Sequence, residues 1–175
     1  MRAWGITPIL TLRNIFDCIV SFDDMTKAKR RDLHYGWVPD APFLLPSDYA
    51  DLEPAARYEL VAASLGPWLV NFAVSWRRCE SAGVVRPLRL QYETDILDPA
   101  RLTAMLQSYL GLDVVQSARL LAYAQRPDMT RGRFNMGVVG RGRQLLPTCI
   151  LDRLEAYVRH FEDELTESDI LQLLY

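Results

Sequence analysis

Two short stretches of this chain have the composition of buried strands, and most of the remainder has the periodicity of helices. Residues 7–12 are apolar, rich in strand-forming residues and followed directly by Arg13 and Asn14. Apolar and polar side chains alternate along residues 87–92, which predicts a second strand. A chain with so few strands can build only a small sheet, so the sequence predicts a helix-rich α/β fold.

Helix start signals follow the first strand. Asn14 with Asp17 three residues later resembles a capping box, and it predicts a helix from about residue 15 to the basic stretch 27–31. Further helices are predicted at about residues 48–63, 67–81, 98–111, 113–125 and 151–165. Residues 32–47, which are rich in proline and aromatic residues, are predicted to form an ordered loop that faces a substrate or acts as a lid.

Glycine and proline mark several of these helix boundaries. Gly66-Pro67 predicts a break between two helices, because proline suits the first turn of a helix. Asp98-Pro99 predicts a helix start with an N-cap followed by proline, and Gly111 predicts its end.

Length and composition exclude several classes of protein. The chain has 175 residues, half of them apolar, which predicts one domain over residues 1–175. Its net charge of −2 argues against a general nucleic-acid binder. Cys18, Cys79 and Cys149 are widely spaced, which argues against a disulfide framework or zinc site and predicts a cytoplasmic protein. No apolar run approaches the length of about 20 residues that a membrane helix needs.

Residues 131–143 combine four arginines and four glycines without an acidic residue. Glycine lets backbone N–H groups approach a ligand closely, and arginine presents a planar fork of donors that matches phosphate oxygens. The stretch therefore predicts a phosphate-binding loop. The alternative is a solvated surface loop.

Arg13 lies where a predicted strand meets a predicted helix. A guanidinium and a helix N-terminus at this junction act together on an anion, so Arg13 is a second candidate phosphate ligand. The alternative is a structural role, in which Arg13 caps a carbonyl or pairs with Asp17.

The order of these features resembles the later portion of the cytosolic-type sulfotransferases. That family moves a sulfuryl group from 3′-phosphoadenosine 5′-phosphosulfate (PAPS) to an acceptor hydroxyl or amine. The similar segments, which span nearly the whole chain, are residues 12–21, 66–76, 88–95, 98–99, 109–112 and 137–143. The resemblance implies an incomplete P-loop-type parallel sheet of about two strands flanked by many helices, in a sulfotransferase-like domain that lacks the N-terminal phosphate-loop strand.

The resemblance also implies roles for particular residues. An Arg-Asn-Pro-x-Asp-x-x-x-Ser segment of the family binds the 3′-phosphate through its arginine and serine, which match Arg13 and Ser21. A closing Arg-Lys-Gly-x-x-Gly segment also holds this phosphate, but Asn135 and Met136 replace its basic residues, so Arg133 or Arg141 is expected to take over their role. The implied PAPS-binding residues are Arg13, Ser21, Arg133, Asn135, Met136, Gly137, Gly140 and Arg141, with no metal ligand.

Two catalytic parts of the family are missing from this sequence. A Pro-Lys-x-Gly-Thr-Thr-type loop cradles the 5′-phosphosulfate and supplies a catalytic lysine, and a later histidine acts as general base. No glycine-rich loop with a lysine occurs here, and His34 and His160 both follow the position where the base belongs. Sulfuryl transfer needs donors on the transferring group and a base on the acceptor, so catalytic residues stay unassigned.

In the family, the phosphate-loop strand lies between the strand that ends at Arg13 and the strand that ends at Tyr92. We therefore expect a member that lacks its N-terminal third, with a slot between two strand edges. Unpaired edges associate with other strands. A separately encoded N-terminal fragment, a homodimer, or residues upstream of an incorrect start codon would close the slot.

Three functions remain open from the sequence. The first is a PAPS-dependent sulfotransferase, of which this chain carries the 3′-phosphate part, with a nucleotide donor and an unidentified acceptor as partners. The second is a catalytically inactive module of that family that keeps a nucleotide or phosphate site. The third is a helical interaction protein in which Arg13 and residues 131–143 serve only the surface.

Overall fold

The structure, a computed structural model, describes residues 8–31, 45–125 and 138–175. The elements in these ranges are β1 (Ile9–Leu12), α1 (Ile15–Arg31), a 3₁₀ turn (Tyr49–Asp51), α2 (Pro54–Ser81), β2 (Leu88–Gln91), a π-helical turn (Tyr92–Ile96), α3 (Pro99–Leu110), α4 (Val114–Ala124), α5 (Arg141–Leu145), α6 (Thr148–Arg159) and α7 (Glu167–Leu174). The predicted helix-rich α/β class is confirmed.

Contacts within the chain define two compact units. The described residues of the first unit are 8–13 and 77–125. Those of the second unit are 14–31, 45–76 and 138–175.

The first unit is built on a two-stranded parallel sheet. β1 pairs with β2 in a register that runs from Ile9 opposite Leu88 to Leu12 opposite Gln91. The Tyr109 hydroxyl of α3 lies 3.0 Å from the Pro8 carbonyl oxygen and 2.7 Å from that of Arg86. This hydroxyl therefore ties α3 to the residues that lead into both strands.

The prediction of a slot between these strands is wrong, because β1 and β2 are direct hydrogen-bonded neighbours. Their facing N–H and C=O groups satisfy one another, which removes the cost of leaving them unpaired. A further strand can enter between them only if this ladder separates.

The caps of α3 confirm the boundary signals of the sequence, and α4 lies within the helix predicted at about residues 113–125. The Asp98 carboxylate accepts hydrogen bonds from the backbone N–H groups of Ala100 and Arg101, and Pro99 occupies the first turn. Gly111 ends α3 at φ +67°, a conformation that favours glycine. Asp113 then starts α4 with a capping box.

The second unit is a helical assembly that begins with α1. The Asn14 side chain accepts hydrogen bonds from the N–H groups of Phe16 (3.0 Å) and Asp17 (3.2 Å), so the predicted N-cap is confirmed. Apolar residues of α1, α2, α6 and α7 supply its buried core, which includes Phe16, Ile19, Val20, Val61, Val70, Val74, Ile150, Leu154, Val158 and Leu174.

The predicted break at Gly66-Pro67 is wrong, because α2 runs without interruption from Pro54 to Ser81. Gly66 lies against Leu154 of α6: a Cβ at position 66 would lie 2.5 Å from Leu154 Cδ2, so the leucine side chain would have to move. Pro67 removes one backbone donor from the helix. Tertiary packing therefore overrides a local helix-end signal.

The helix predicted at about residues 151–165 is divided in the structure between α6 and the turn that follows it. α6 ends at Arg159, and Leu165 is buried beyond it. The predicted helices do not include α7, which begins with a capping box between Thr166 and Asp169.

α5 and α1 approach so closely that one position cannot carry a side chain. A Cβ on Gly142 would lie 2.2 Å from the Phe16 carbonyl carbon and 2.5 Å from its oxygen. Backbone atoms cannot rotate away as a side chain can. The contact therefore requires glycine at position 142.

We expect Gly142→Ala to lower the free energy of unfolding by about 1–3 kcal/mol, the usual cost of overpacking. Urea denaturation measures this change. Gln144→Ala is the matched control, because Gln144 is an exposed residue of the same helix. Equal stability of Gly142→Ala and Gln144→Ala would contradict the close approach.

Candidate functional site

In the second unit, the Asp17 carboxylate binds the end of the arginine-glycine stretch. Its Oδ2 accepts a hydrogen bond from Gly140 N–H at 2.8 Å, and its Oδ1 accepts one from Gly142 N–H at 2.7 Å. Asp17 is 2% exposed, so water competes little for these bonds. The Gly-x-Gly backbone therefore binds an anion supplied by the protein itself.

Arg141, one of the predicted PAPS ligands, forms an ion pair with Asp24, two helical turns after Asp17 on α1. Its Nη2 lies 2.9 Å from Asp24 Oδ2. Asp17, Ser21 and Asp24 occupy positions i, i+4 and i+7 of α1, so they share one face of that helix. Gly140 and Arg141 therefore bind residues on the face of α1 that also carries Ser21.

Arg143 completes the attachment of this segment. Its guanidinium lies over the Phe16 ring at 4.8 Å and over the Tyr175 ring at 4.6 Å. Its Nη2 also donates to the Leu174 carbonyl at 2.8 Å. These contacts give Arg143 a structural role between the start of α1 and the end of α7.

We expect Asp17→Asn to lower the free energy of unfolding by roughly 1.5–3 kcal/mol, as for the loss of a charge-assisted hydrogen bond. An amide offers one acceptor oxygen and turns its NH₂ toward the other backbone N–H. Thermal or urea unfolding would show the loss.

Asp152→Asn provides the control, because Asp152 is an exposed acid of α6. If Asp17→Asn were as stable as this control, the carboxylate would not be what holds the segment.

In the first unit, Arg13 stacks on an aromatic ring at the carboxyl end of the sheet. Arg13 directly follows β1 and Tyr92 directly follows β2, and the register places Leu12 opposite Gln91. The Arg13 Cζ lies 4.4 Å from the centroid of the Tyr92 ring. Arg13 Nε is buried and has no hydrogen-bond partner within the described ranges. A desolvated donor of a charged group is thus left unsatisfied.

The π-helical turn after β2 holds Tyr92 in place. Asp95 Oδ2 accepts a hydrogen bond from Gln91 N–H at 2.7 Å, and Arg101 Nε lies 2.6 Å from Asp95 Oδ1. The Leu97 N–H donates to the Tyr92 carbonyl at 3.2 Å. Asp95 therefore joins the end of the strand to the start of α3.

Several predicted residues cannot be placed. Residues 133 and 135–137, which are Arg133, Asn135, Met136 and Gly137, lie outside the described residues. The same holds for most of the predicted loop at 32–47 and for His34. His160 lies just after α6, is exposed and packs edge-on against Phe161, with a distance of 5.1 Å between the ring centroids.

Sequence reasoning missed a buried charge cluster in the second unit. Asp23 is fully buried, and its Oδ1 accepts hydrogen bonds from the Tyr49 hydroxyl (2.7 Å) and Arg57 Nε (2.9 Å). Lys27 Nζ lies 3.3 Å from Asp23 Oδ2, and Arg57 also donates to the Leu52 carbonyl. The partners are distant in sequence, so no local pattern could have revealed the cluster.

The cluster affects the ionisation of Tyr58. Burial raises the pKa of Tyr58 above its ordinary value, and the negative charge of Asp23 raises this pKa further. We expect the folded protein to contain a tyrosine that ionises later than the exposed ones, as followed by absorbance near 295 nm. Tyr58→Phe should remove this late step.

The same shift has a consequence for stability. Folding favours the protonated Tyr58, so the free energy of unfolding should fall as the pH rises above about 10, the pKa of tyrosine in unfolded chains. Tyr58→Phe should flatten this alkaline decline. An unchanged decline would exclude Tyr58 as its source.

No family model matches the chain, and comparisons with curated proteins and with solved structures also return no match. The described part of the chain contains no helix long and apolar enough to cross a membrane. Within the same ranges, no group of three or more histidine, cysteine, aspartate or glutamate residues is arranged to hold a metal ion.

Proposed function

We propose that the chain is a sulfotransferase-like protein that binds PAPS, with Arg13 as a ligand of the 3′-phosphate. The proposal rests on the surroundings of the Arg13 guanidinium, namely its missing hydrogen bond and its aromatic neighbour. Its Nε is buried without a hydrogen-bond partner among the described residues, and its Cζ lies over the Tyr92 ring. An unsatisfied buried donor costs about 1–3 kcal/mol, and more when the group is charged.

A phosphate suits this position for chemical and topological reasons. Guanidinium donors lie in one plane and match two phosphate oxygens at once. Ligands of parallel sheets bind outside the carboxyl ends of the strands, which is where Arg13 and Tyr92 follow β1 and β2. An anion in the plane of the guanidinium would satisfy the buried Nε.

The other ligands implied by the resemblance stay predictions. The N–H of Gly140 already donates to Asp17, so its contribution would require a change of partner. Arg141 can bind Asp24 and a second anion at the same time, because a guanidinium carries five donors. A cytoplasmic location and an acceptor hydroxyl or amine follow from the same proposal.

The second candidate is a catalytically inactive member that keeps a nucleotide or phosphate site. Direct pairing of β1 with β2 favours it, because no space remains between them for a phosphate-loop strand. A P-loop-type sheet would require this ladder to separate. Binding of PAPS without transfer of its sulfuryl group to any acceptor would support this second function.

Calorimetric titration with adenosine 3′,5′-bisphosphate tests the proposal, with 5′-AMP as the ligand that lacks the 3′-phosphate. We expect binding of the bisphosphate, little heat from 5′-AMP, and a loss of at least about tenfold in affinity for Arg13→Ala, as for a charge-assisted hydrogen bond.

Arg119→Ala is the matched control for this titration. Arg119 is an exposed arginine of α4, and its replacement removes the same charge. Equal binding of both nucleotides, or equal affinity of Arg13→Ala and Arg119→Ala, would refute the proposal.

A further inference from the structure

The Tyr92 ring lies against the guanidinium of Arg13, which is the proposed phosphate ligand in the first unit. With the guanidinium carbon 4.4 Å from the ring centroid, the ring occupies the space above the group. The aromatic face thereby limits the directions from which an anion can approach Arg13.

We infer that Tyr92 is a positioning residue, which orients Arg13 for the phosphate without contacting the phosphate itself. This inference rests on the proposed function. A guanidinium on a flexible chain loses rotamer freedom when it binds, at a cost of about 0.5–1.5 kcal/mol per side chain. Stacking on a fixed ring removes part of that freedom before the ligand arrives, and it adds a cation–π attraction.

The ring provides the contact, and the hydroxyl is not needed for it. The quadrupole that attracts a cation belongs to the aromatic face, which phenylalanine also has. An aliphatic residue of similar size keeps the volume but loses the quadrupole and the flat surface. If the ring positions Arg13, phenylalanine at position 92 should keep the effect and leucine should lose it. If the ring only fills space, both residues should behave alike.

The surroundings of Tyr92 explain why this ring can act as a fixed surface. The Asp95 carboxylate bridges Gln91 N–H and Arg101 Nε, and Leu97 N–H binds the Tyr92 carbonyl. These bonds hold the backbone on both sides of the ring. A ring on a mobile loop would follow the guanidinium and would not orient it.

The test measures the affinity for adenosine 3′,5′-bisphosphate of wild type, Tyr92→Phe, Tyr92→Leu and the control Tyr123→Leu, whose tyrosine is 80% exposed on α4. We expect Tyr92→Leu to weaken binding roughly 3- to 30-fold, the range of a cation–π contact. Tyr92→Phe should restore most of the affinity. In an Arg13→Ala background, Tyr92→Leu should have no further effect, because its influence passes through Arg13.

A second readout does not depend on the ligand. The Arg13 Nε–H resonance, identified by its absence in Arg13→Ala, should be displaced from those of exposed arginines by the ring current of Tyr92. The displacement should persist in Tyr92→Phe and disappear in folded Tyr92→Leu. An undisplaced resonance in wild type would overturn the inference.

The outcomes separate the two proposals. If wild type shows no binding that needs the 3′-phosphate, the proposed function fails and this inference fails with it. If Arg13→Ala binds at least about tenfold more weakly than wild type, but Tyr92→Leu binds like wild type, the inference alone is overturned. A Tyr92→Leu effect of equal size in the Arg13→Ala background would also overturn it, because a general structural role would then explain the loss.

Discussion

The Asp17 carboxylate is the group on which the arrangement of the second unit depends. Each of its oxygens accepts one backbone N–H, from Gly140 and Gly142. α5 has five residues and is too short to be stable as an isolated helix. Its attachment to α1 therefore comes from tertiary contacts, of which this pair of buried hydrogen bonds is the most specific.

This attachment changes the interpretation of the arginine-glycine stretch. Glycine at 142 permits the close approach of two backbones, and Gly140, at φ +83°, turns the chain into α5. Arg143 binds aromatic rings and a terminal carbonyl. Part of the composition that predicts a phosphate loop is therefore explained by packing within the protein.

Most arginines with described contacts have an acidic partner, and this makes Arg13 distinctive. The ion pairs are Arg57–Asp23, Arg77–Glu80, Arg89–Glu80, Arg101–Asp95, Arg141–Asp24, Arg153–Glu59 and Arg159–Glu155. Arg13 and Arg143 instead lie over aromatic rings. Arg143 donates to the Leu174 carbonyl, whereas Arg13 keeps a buried Nε without a hydrogen-bond partner in the described part of the chain. That contrast, which no sequence pattern reveals, is what favours Arg13 as the ligand-binding arginine.

The sequence predicted features that depend on neighbouring residues and missed those that depend on distant ones. The caps at Asn14 and Asp98 and the stop at Gly111 are local, because a side chain or a backbone conformation there satisfies the helix end itself. α2 continues through Gly66-Pro67, and Gly66 there packs against Leu154, which lies far along the chain. The stack of Arg13 on Tyr92 likewise requires the register of β1 with β2.

The pairing of β1 with β2 has a consequence for the order of folding. Ile9 meets Leu88, so the chain between them must be gathered into one large loop before the first ladder bond forms. Loop closure of this kind is entropically costly, and contacts distant in sequence form slowly. Helices such as α3 and α4, which are capped locally, can form earlier. The carboxyl edge that carries Arg13 and Tyr92 is therefore expected to be among the last parts of the molecule to assemble.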